Sequence, residues 1–146
     1  MLQIKPSEFK TLSLSIAKSQ DHEPELVANK LDLSVEAVKA GDKAVSVLLN
    51  LKLVLEDDVL MSLCYAVTFD VEDPANADFK VVDSTLTDTF IQVNAAAIAY
   101  PFLRAYVSTI SINSGYKSIL LPAVNFQAIF NHKKKKGEEA SAKIIA

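Results

Sequence analysis

The sequence predicts an α+β domain in which a four-stranded antiparallel sheet is followed by two or three helices packed in one layer. Three observations support this fold class. Four segments in the first half alternate apolar and polar residues, as half-buried strands do. Short turns separate the last three of these segments, and short turns can join only antiparallel neighbours. The second half changes to helical spacing, and 146 residues are enough for one domain with its own core.

The four predicted strands lie at residues 9–17, 27–39, 44–55 and 59–71. In the first strand, Leu12, Leu14 and Ile16 are predicted to share one face. Turn signals at residues 40–43 and 56–58 bound the third strand. The polar link at residues 18–25 is longer, so the first strand can cross over instead of forming a tight hairpin with the second. Residues 72–84 are predicted to form a loop or a short extended piece.

Residues 86–113 carry helix signals, but whether one kinked helix or two separate helices cover them stays open. Pro101 is predicted to begin a helix, because the first turn has no use for its missing N–H. Gly115 is predicted to end that helix, and Asn125 to cap the next one. One apolar stripe, a candidate subunit interface, comprises Leu103, Tyr106, Val107 and Ile110.

The charge of the chain is uneven, although its net value is only −3. Residues 1–130 contain 10 basic and 16 acidic side chains, whereas residues 131–146 contain 5 basic and 2 acidic ones. We therefore predict one domain at residues 1–131 and a disordered basic tail at residues 132–146. The run Lys133 to Lys136 could attract an anionic partner, or it could simply be solvated.

Composition excludes several classes of protein. The acidic net charge does not indicate a nucleic-acid-binding protein. No apolar run approaches the roughly 18 residues of a membrane span, and the N-terminus has no apolar signal core, so neither membrane insertion nor export is expected. Cys64 is the single cysteine, which excludes an internal disulfide and fits a reducing cytoplasm.

Few residues could support catalysis or bind a cofactor. His22 and His132 lie in polar segments and have no second metal ligand at suitable spacing. Cys64 lies in the middle of a predicted strand, where a packed thiol is expected. Phosphate-binding loops, nucleophile elbows and dinucleotide fingerprints are not found in the sequence. We therefore predict a protein that is not an enzyme and that binds neither a metal nor a cofactor.

The stretch from Tyr100 to Phe130 resembles the C-terminal signature of the SecB family of protein-export chaperones. The first element of that signature, aromatic-proline-aromatic-x-arginine, is matched by Tyr100, Pro101, Phe102 and Arg104. The second element, VNF-x-A-L-F, is matched by Val124, Asn125, Phe126, Ala128, Ile129 and Phe130. No gap is needed between the two elements. The predicted order of strand, crossover, three-stranded meander and helices is also the order of that family.

This resemblance implies a cytoplasmic, ATP-independent holdase, which keeps unfolded preproteins soluble and passes them to the SecA motor. The family assembles as a tetramer, a dimer of dimers, and a dimer is the alternative here. The high apolar content is consistent with a client groove or with self-association. Clients would lie between the crossover-loop side of the sheet and the last helix, in a groove lined by Phe69, Phe79, Ile119, Leu121, Phe126, Ile129 and Phe130.

One departure from the family concerns SecA. The family's acidic docking residues correspond here to Thr11, Ser15 and Tyr65, which are uncharged. Electrostatic docking to a basic partner should then be weak, and replacing Tyr65 by Glu and Thr11 by Asp is expected to strengthen it. A divergent member dedicated to one client, such as an antitoxin, is an alternative. A structural or assembly protein and a binder of a small apolar ligand are two others.

Overall fold

The computed structural model describes residues 2–18, 30–56, 59–136 and 141–145. Its strands are β1 (Gln3–Lys18), β2 (Lys30–Gly41), β3 (Ala44–Glu56), β4 (Val59–Glu72) and β5 (Ser141–Ile145). Its helices are α1 (Asp83–Leu86), α2 (Thr89–Asn113) and α3 (Phe126–Lys136). The predicted fold class is confirmed, because the four expected antiparallel strands precede helices that pack on the sheet. The predicted link at residues 18–25 lies almost wholly outside the described residues.

The sheet has the order β1-β4-β3-β2-β5, and every pairing in it is antiparallel. Because β1 pairs with β4, two strands separate it from β2, and the two do not form a hairpin, as the sequence predicts. Aligned leucines run across the centre of the sheet, where Leu33 is opposite Leu51 and Leu51 is opposite Leu63. All three are buried. This face of the sheet forms the main core with α2 and α3.

Two β-bulges change which residues of β1 face the helices. Register shifts occur between Pro6 and Glu8 and between Thr11 and Ser13. Leu12 is therefore an extra residue, half exposed, and the prediction that it shares a face with Leu14 and Ile16 is wrong. Opposite the inward residues of β4, β1 instead places Phe9, Thr11, Leu14 and Ile16.

One continuous helix, α2, covers residues 89–113. Its N-cap is Asp88, whose carboxylate accepts a hydrogen bond from the Phe90 N–H at 2.8 Å. Pro101 lies in the interior of α2, so the prediction that it begins a helix is wrong. An interior proline removes one backbone hydrogen bond and crowds the preceding turn. Apolar packing on both sides of Pro101 holds the helix together, since Ala96 and Leu103 are fully buried.

By length and composition alone, α2 could cross a membrane. Core helices of soluble proteins meet the same criterion, and α2 packs on the sheet in this way. The residues that α2 buries are Ile91, Ala95, Ala96, Ala99, Tyr100, Leu103, Val107 and Ser111.

The C-terminal end of α2 follows the sequence prediction. Gly115 has a positive φ of 93°, a conformation that costs glycine little. The Tyr116 N–H donates to the Ser111 carbonyl, and the Gly115 N–H donates to the Ile112 carbonyl. These two bonds form a Schellman motif, which satisfies carbonyls that the helix leaves open.

In the described part of the predicted C-terminal tail, residues 132–136 continue α3 and residues 141–145 form β5. Helix α3 continues to Lys136, since lysine has good helix propensity and a cation suits a helix C-terminus. Four residues later, β5 pairs with the free edge of β2. The β-branched isoleucines of the tail suit a strand, and β2 offers unpaired backbone groups to it.

Candidate functional site

The segment between α2 and α3, residues 117–125, has no regular secondary structure. We call it the strap. The side chains of Ser108 on α2 and Ser118 on the strap are hydrogen bonded at 2.8 Å. Farther along, the Tyr100 hydroxyl donates to the Pro122 carbonyl at 2.6 Å. Two side chains of one helix thus hold the strap across the surface of the domain.

Exposure changes from residue to residue at the centre of the strap, from Ile119 to Leu121, as it does in an extended segment. Leu121 is 1% exposed and joins the main core, whereas the neighbouring Leu120 is 76% exposed. Within the part of the chain that the structure describes, the backbone N–H groups of the strap have no hydrogen-bond partner. The strap therefore presents an apolar side chain and open backbone groups to the outside, which an extended peptide could use.

Helix α3 begins where the strap ends. The Asn125 side chain accepts a hydrogen bond from the Ala128 N–H at 3.1 Å, so the predicted N-cap is confirmed. The ring of Phe126 packs edge-on against Tyr100, with ring centroids 5.5 Å apart. Phe126 and Phe130 are buried, while Ile129 is partly exposed. The strap and α3 are thus anchored to α2 as one unit.

The structure separates the seven residues predicted to line a client groove. Leu121, Phe126 and Phe130 lie together, but all three are buried in the main core, as is Phe69 on β4. Phe79 belongs to a different cluster, with Val45, Val71, Val81 and Ile91. Only Ile119 and Ile129 line the strap and α3 with part of their surface exposed. Leu120 was missed, although its position between two inward residues of an extended run was the signal that could have found it.

Tyr100 and Phe126 belong to the two elements of the family signature, and their contact explains why the elements occur together. Burial raises the pKa of the Tyr100 hydroxyl to about 12, and the nearby Arg104 only partly offsets this effect. The phenol therefore remains a hydrogen-bond donor to Pro122 at neutral pH. The Arg104 Nε atom is buried and has no hydrogen-bond partner among the described residues. Of the remaining signature residues, Pro101 and Phe102 are exposed and Val124 is partly buried.

A second apolar surface lies where β1 meets α2. Phe9 and Phe102 stack at 4.5 Å between ring centroids, and both are more than 40% exposed. Leu12 and Leu14 extend this surface along β1. We call these four residues the β1–α2 patch. The predicted interface stripe lies elsewhere, because Leu103 and Val107 are fully buried in the core and Tyr106 and Ile110 are partly buried against it.

The outward stripe of α2 lies on the side of the helix that bears Phe102. Helical spacing places five further residues on this arc, and all of them are at least partly exposed: Ile98, Pro101, Ala105, Thr109 and Ile112. The apolar stripe predicted from the sequence thus contributes Leu103 and Val107 to the core, whereas Tyr106 and Ile110 keep part of their surface exposed.

The three positions predicted to replace an acidic docking surface do not share one face. Thr11 and Tyr65 are opposite each other on the helix side of the sheet, where Thr11 donates a hydrogen bond to the Tyr106 hydroxyl at 2.8 Å. Tyr65 also packs on the Tyr106 ring at 5.1 Å and is buried. Ser15 is opposite Ser62 on the other face. The expected gain from Tyr65→Glu therefore fails physically, because the new carboxylate would be buried.

The outer face of the sheet is mostly polar. A shallow depression on it is lined by Ser13, Asp32, Ser34, Asn50, Leu51, Lys52, Ser62, Leu63 and Cys64. Burial, and to a lesser extent the charge of Glu36, raises the pKa of the Cys64 thiol, which disfavours the reactive thiolate. Among the described residues, no group of three His, Cys, Asp or Glu side chains could hold a metal ion. His22 lies outside the described residues.

Comparison with known proteins identifies a family. The model of the family described as preprotein translocase subunit SecB matches residues 2–137. An uncharacterized protein of Methanocaldococcus jannaschii is 28% identical over 67 residues, which is 44% of this chain and 43% of that relative. The chain therefore spans less than half the length of that relative.

Two solved structures have a similar fold. One is the Mycobacterium tuberculosis Rv1957 SecB-like chaperone in complex with a ChAD peptide from the Rv1956 HigA1 antitoxin. It has a TM-score of 0.61 and 15% identity, covering 83% of this chain and 90% of that one. The other is a protein of unknown function from Streptococcus agalactiae, with a TM-score of 0.57 and 9% identity, covering 84% and 99%. At these identities the likeness concerns the fold.

Proposed function

Since the chain belongs to the SecB family, we propose that it is a cytoplasmic, ATP-independent holdase for unfolded polypeptides. Such a protein acts by mass action, because it binds a client only while that client exposes apolar groups and backbone. A client that has folded has buried these groups and no longer binds. Its release from the holdase therefore needs no nucleotide.

The strap is the observation that carries this proposal. It combines the exposed Leu120 with backbone N–H groups that have no partner in the described structure. Main-chain hydrogen bonds to such a segment would give affinity for any extended peptide, and apolar contacts would select hydrophobic ones. The partly exposed Ile119 and Ile129 extend the apolar surface beside it. The buried Leu121, Phe126 and Phe130 support this surface from below and are not themselves the contact.

Self-association is the second part of the proposal. The β1–α2 patch and the outward stripe of α2 expose phenylalanine, leucine and isoleucine side chains side by side. A monomer seldom leaves large apolar residues grouped in this way. We assign this surface to contacts between copies of the chain, in a dimer or in a tetramer built from two dimers. The proposed client surface on the strap comes from a different part of the sequence than this proposed subunit interface and has different residues.

A finer question is whether the chain binds many clients or one. The SecB-like chaperone of Mycobacterium tuberculosis is bound to an antitoxin peptide, which favours a single dedicated client as the second candidate. Delivery of clients to SecA is proposed with less support, since the positions matched to the family's acidic docking residues are uncharged and two of them are covered by α2.

Suppression of aggregation tests the holdase directly. A denatured, slowly folding protein is diluted into buffer containing this chain, and light scattering is followed without nucleotide. We expect suppression at about one oligomer per client. Leu120→Ser should weaken suppression severalfold while the stability of the chain changes by less than about 0.5 kcal/mol, because the side chain is exposed.

Val82→Ser is the matched control, because Val82 is also exposed but precedes α1, outside the strap. It should suppress aggregation as the parent chain does. If the parent chain does not suppress aggregation at all, the apolar surface serves only its own assembly, and the holdase proposal is wrong.

A further inference from the structure

The C-terminal strand β5 covers the edge of the sheet that β2 forms. It pairs with β2 from Lys30 to Ser34. These residues directly follow the link between β1 and β2, and β5 also lies against α3. The resemblance to the SecB family implies a client groove between this side of the sheet and the last helix. The chain's own tail thus covers an edge that offers backbone pairing to an extended client in addition to the strap.

Among the described residues, β5 covers the β2 edge from Lys30 to Ser34. Strand β2 runs to Gly41, but β5 pairs with no residue beyond Ser34. Each backbone hydrogen bond between β5 and β2 stabilises the pairing by roughly 1 kcal/mol. The entropy lost on ordering each residue of β5 costs a similar amount. A tail held by so small a balance can exchange with another peptide strand. Four residues separate β5 from α3, and this short connection keeps the effective concentration of the tail at the edge high.

We propose that β5 is a built-in pseudo-client, which occupies the β2 edge and must leave before an extended client segment can pair there. This inference rests on the proposed holdase function and adds a regulatory step to it. The apparent affinity for a client is its affinity for the open edge multiplied by the fraction of time that the edge is open, because only the open state is competent to bind. Strong clients displace it.

The register of β5 also indicates which clients fit. Ile144 is opposite Leu31 and Ala142 is opposite Leu33, and both leucines are buried on the core side of β2. Lys143 is opposite Asp32, which lies on the outer face, where Lys52 is its partner on β3. A client strand paired in this register would place its residues beside these side chains of β2, two apolar and one acidic. The preferred client is therefore an extended segment with a central basic residue between two apolar ones.

A peptide with the sequence of residues 138–146, EEASAKIIA, is the probe for this inference. Its binding is followed by fluorescence anisotropy with the full-length chain and with the full-length variant Lys143→Pro/Ile144→Pro. Neighbouring residues of an edge strand alternate in pointing their N–H toward the sheet, so one of the two prolines must remove a ladder donor. We expect the variant to bind the peptide about tenfold more tightly than the parent, as for a tail that closes the edge about 90% of the time.

Equal affinities for the parent and the variant, or binding to neither, would overturn the inference. The same two proteins are also tested for suppression of aggregation. This second measurement tests the holdase proposal separately from the proposal about β5. If both suppress aggregation but bind the peptide equally, the tail is not a pseudo-client and the holdase stands. If neither suppresses aggregation while the variant binds the peptide tightly, the tail strand is confirmed and the holdase fails.

Charge reversal at Asp32 tests the specificity. In the double-proline background, Asp32→Lys should weaken binding of EEASAKIIA about threefold and strengthen binding of EEASAEIIA by a similar factor, since cross-strand charge pairs contribute modestly. Asp70→Lys is the matched control, because Asp70 is an exposed acid on β4, between β1 and β3. It should change both affinities by less than about twofold. The assigned register is contradicted if the two reversals have equal effects.

Discussion

At the scale of single residues, Tyr100 shows how two separated sequence elements come to act together. Its hydroxyl donates to the Pro122 carbonyl on the strap, and its ring packs against Phe126 at the start of α3. One side chain of α2 thereby fixes both the strap and the helix that follows it. The spacing between the elements is set by the length of chain needed to leave α2, pass over the core and return to Tyr100.

We predict that Tyr100→Phe lowers the free energy of unfolding by about 1 kcal/mol at pH 7, because one hydrogen bond is lost while the ring is kept. Urea unfolding measures this change. Tyr116→Phe is the control, because Tyr116 is only partly buried and its hydroxyl makes no hydrogen bond in the described structure. A Tyr100 effect no larger than that of the control would contradict the role assigned to the hydroxyl.

The stabilising effect of the Tyr100 hydroxyl should depend on pH in the alkaline range. Its pKa is raised from 10.0 to about 12, so the folded state favours the protonated phenol. The resulting stability is fully present below pH 10 and is lost as the pH rises toward 12. The difference in unfolding free energy between the parent and Tyr100→Phe should therefore be constant from pH 7 to 9 and decrease above pH 10. An increase above pH 10 would contradict the assigned shift.

At the scale of elements, the sequence reveals features that depend on local geometry better than features that depend on tertiary packing. Gly115 and Asn125 act through their own backbone and side-chain geometry, and both were predicted. Pro101 was misplaced, because packing of its neighbours on the sheet outweighs its local preference. Leu12 was misplaced, because a bulge is a property of the pairing with β4 and leaves no mark in the alternation of β1 alone.

Gly115→Ala should destabilise the chain by about 1 kcal/mol, since alanine is disfavoured at a φ of 93°. A Cβ atom at this position would meet nothing within 4 Å, so backbone strain alone determines the cost. Gly41→Ala is the matched control, because its Cβ would make ordinary contact with Ala44 at 3.6 Å and its φ is not in the positive range. Thermal unfolding of the two variants checks this, and equal losses would contradict the explanation.

At the scale of the whole molecule, the sequence predicted the sheet and its helices but not the use of each surface. Periodicity identified an apolar stripe with Leu103 and Val107, yet it could not show that the sheet covers this stripe. The exposed Phe102 lies on the other side of α2, where it meets Phe9 of β1. Such a contact joins residues more than ninety positions apart and follows only from the fold. The pairing of β5 with β2 was missed for the same reason.

Phe102→Glu should dissociate the oligomer that we propose, because it places a charge in the β1–α2 patch, where Phe102 stacks on Phe9. Mass measurement by light scattering coupled to gel filtration would show a shift to smaller species. Val82→Glu introduces the same charge at an exposed valine away from the patch and should leave the mass unchanged. A parent chain that is already monomeric, or a Phe102→Glu variant of unchanged mass, would contradict the assignment.

Amide hydrogen exchange, with and without a permanently unfolded client, tests the central claim most directly. The strap has backbone N–H groups without partners in the described structure, so they should exchange rapidly in the free chain. If an extended client pairs with the strap, exchange at residues 117–125 should slow severalfold while the buried core of the sheet is unaffected. Slower exchange confined to the β1–α2 patch or to the outer face of the sheet, or no change anywhere, would contradict the account.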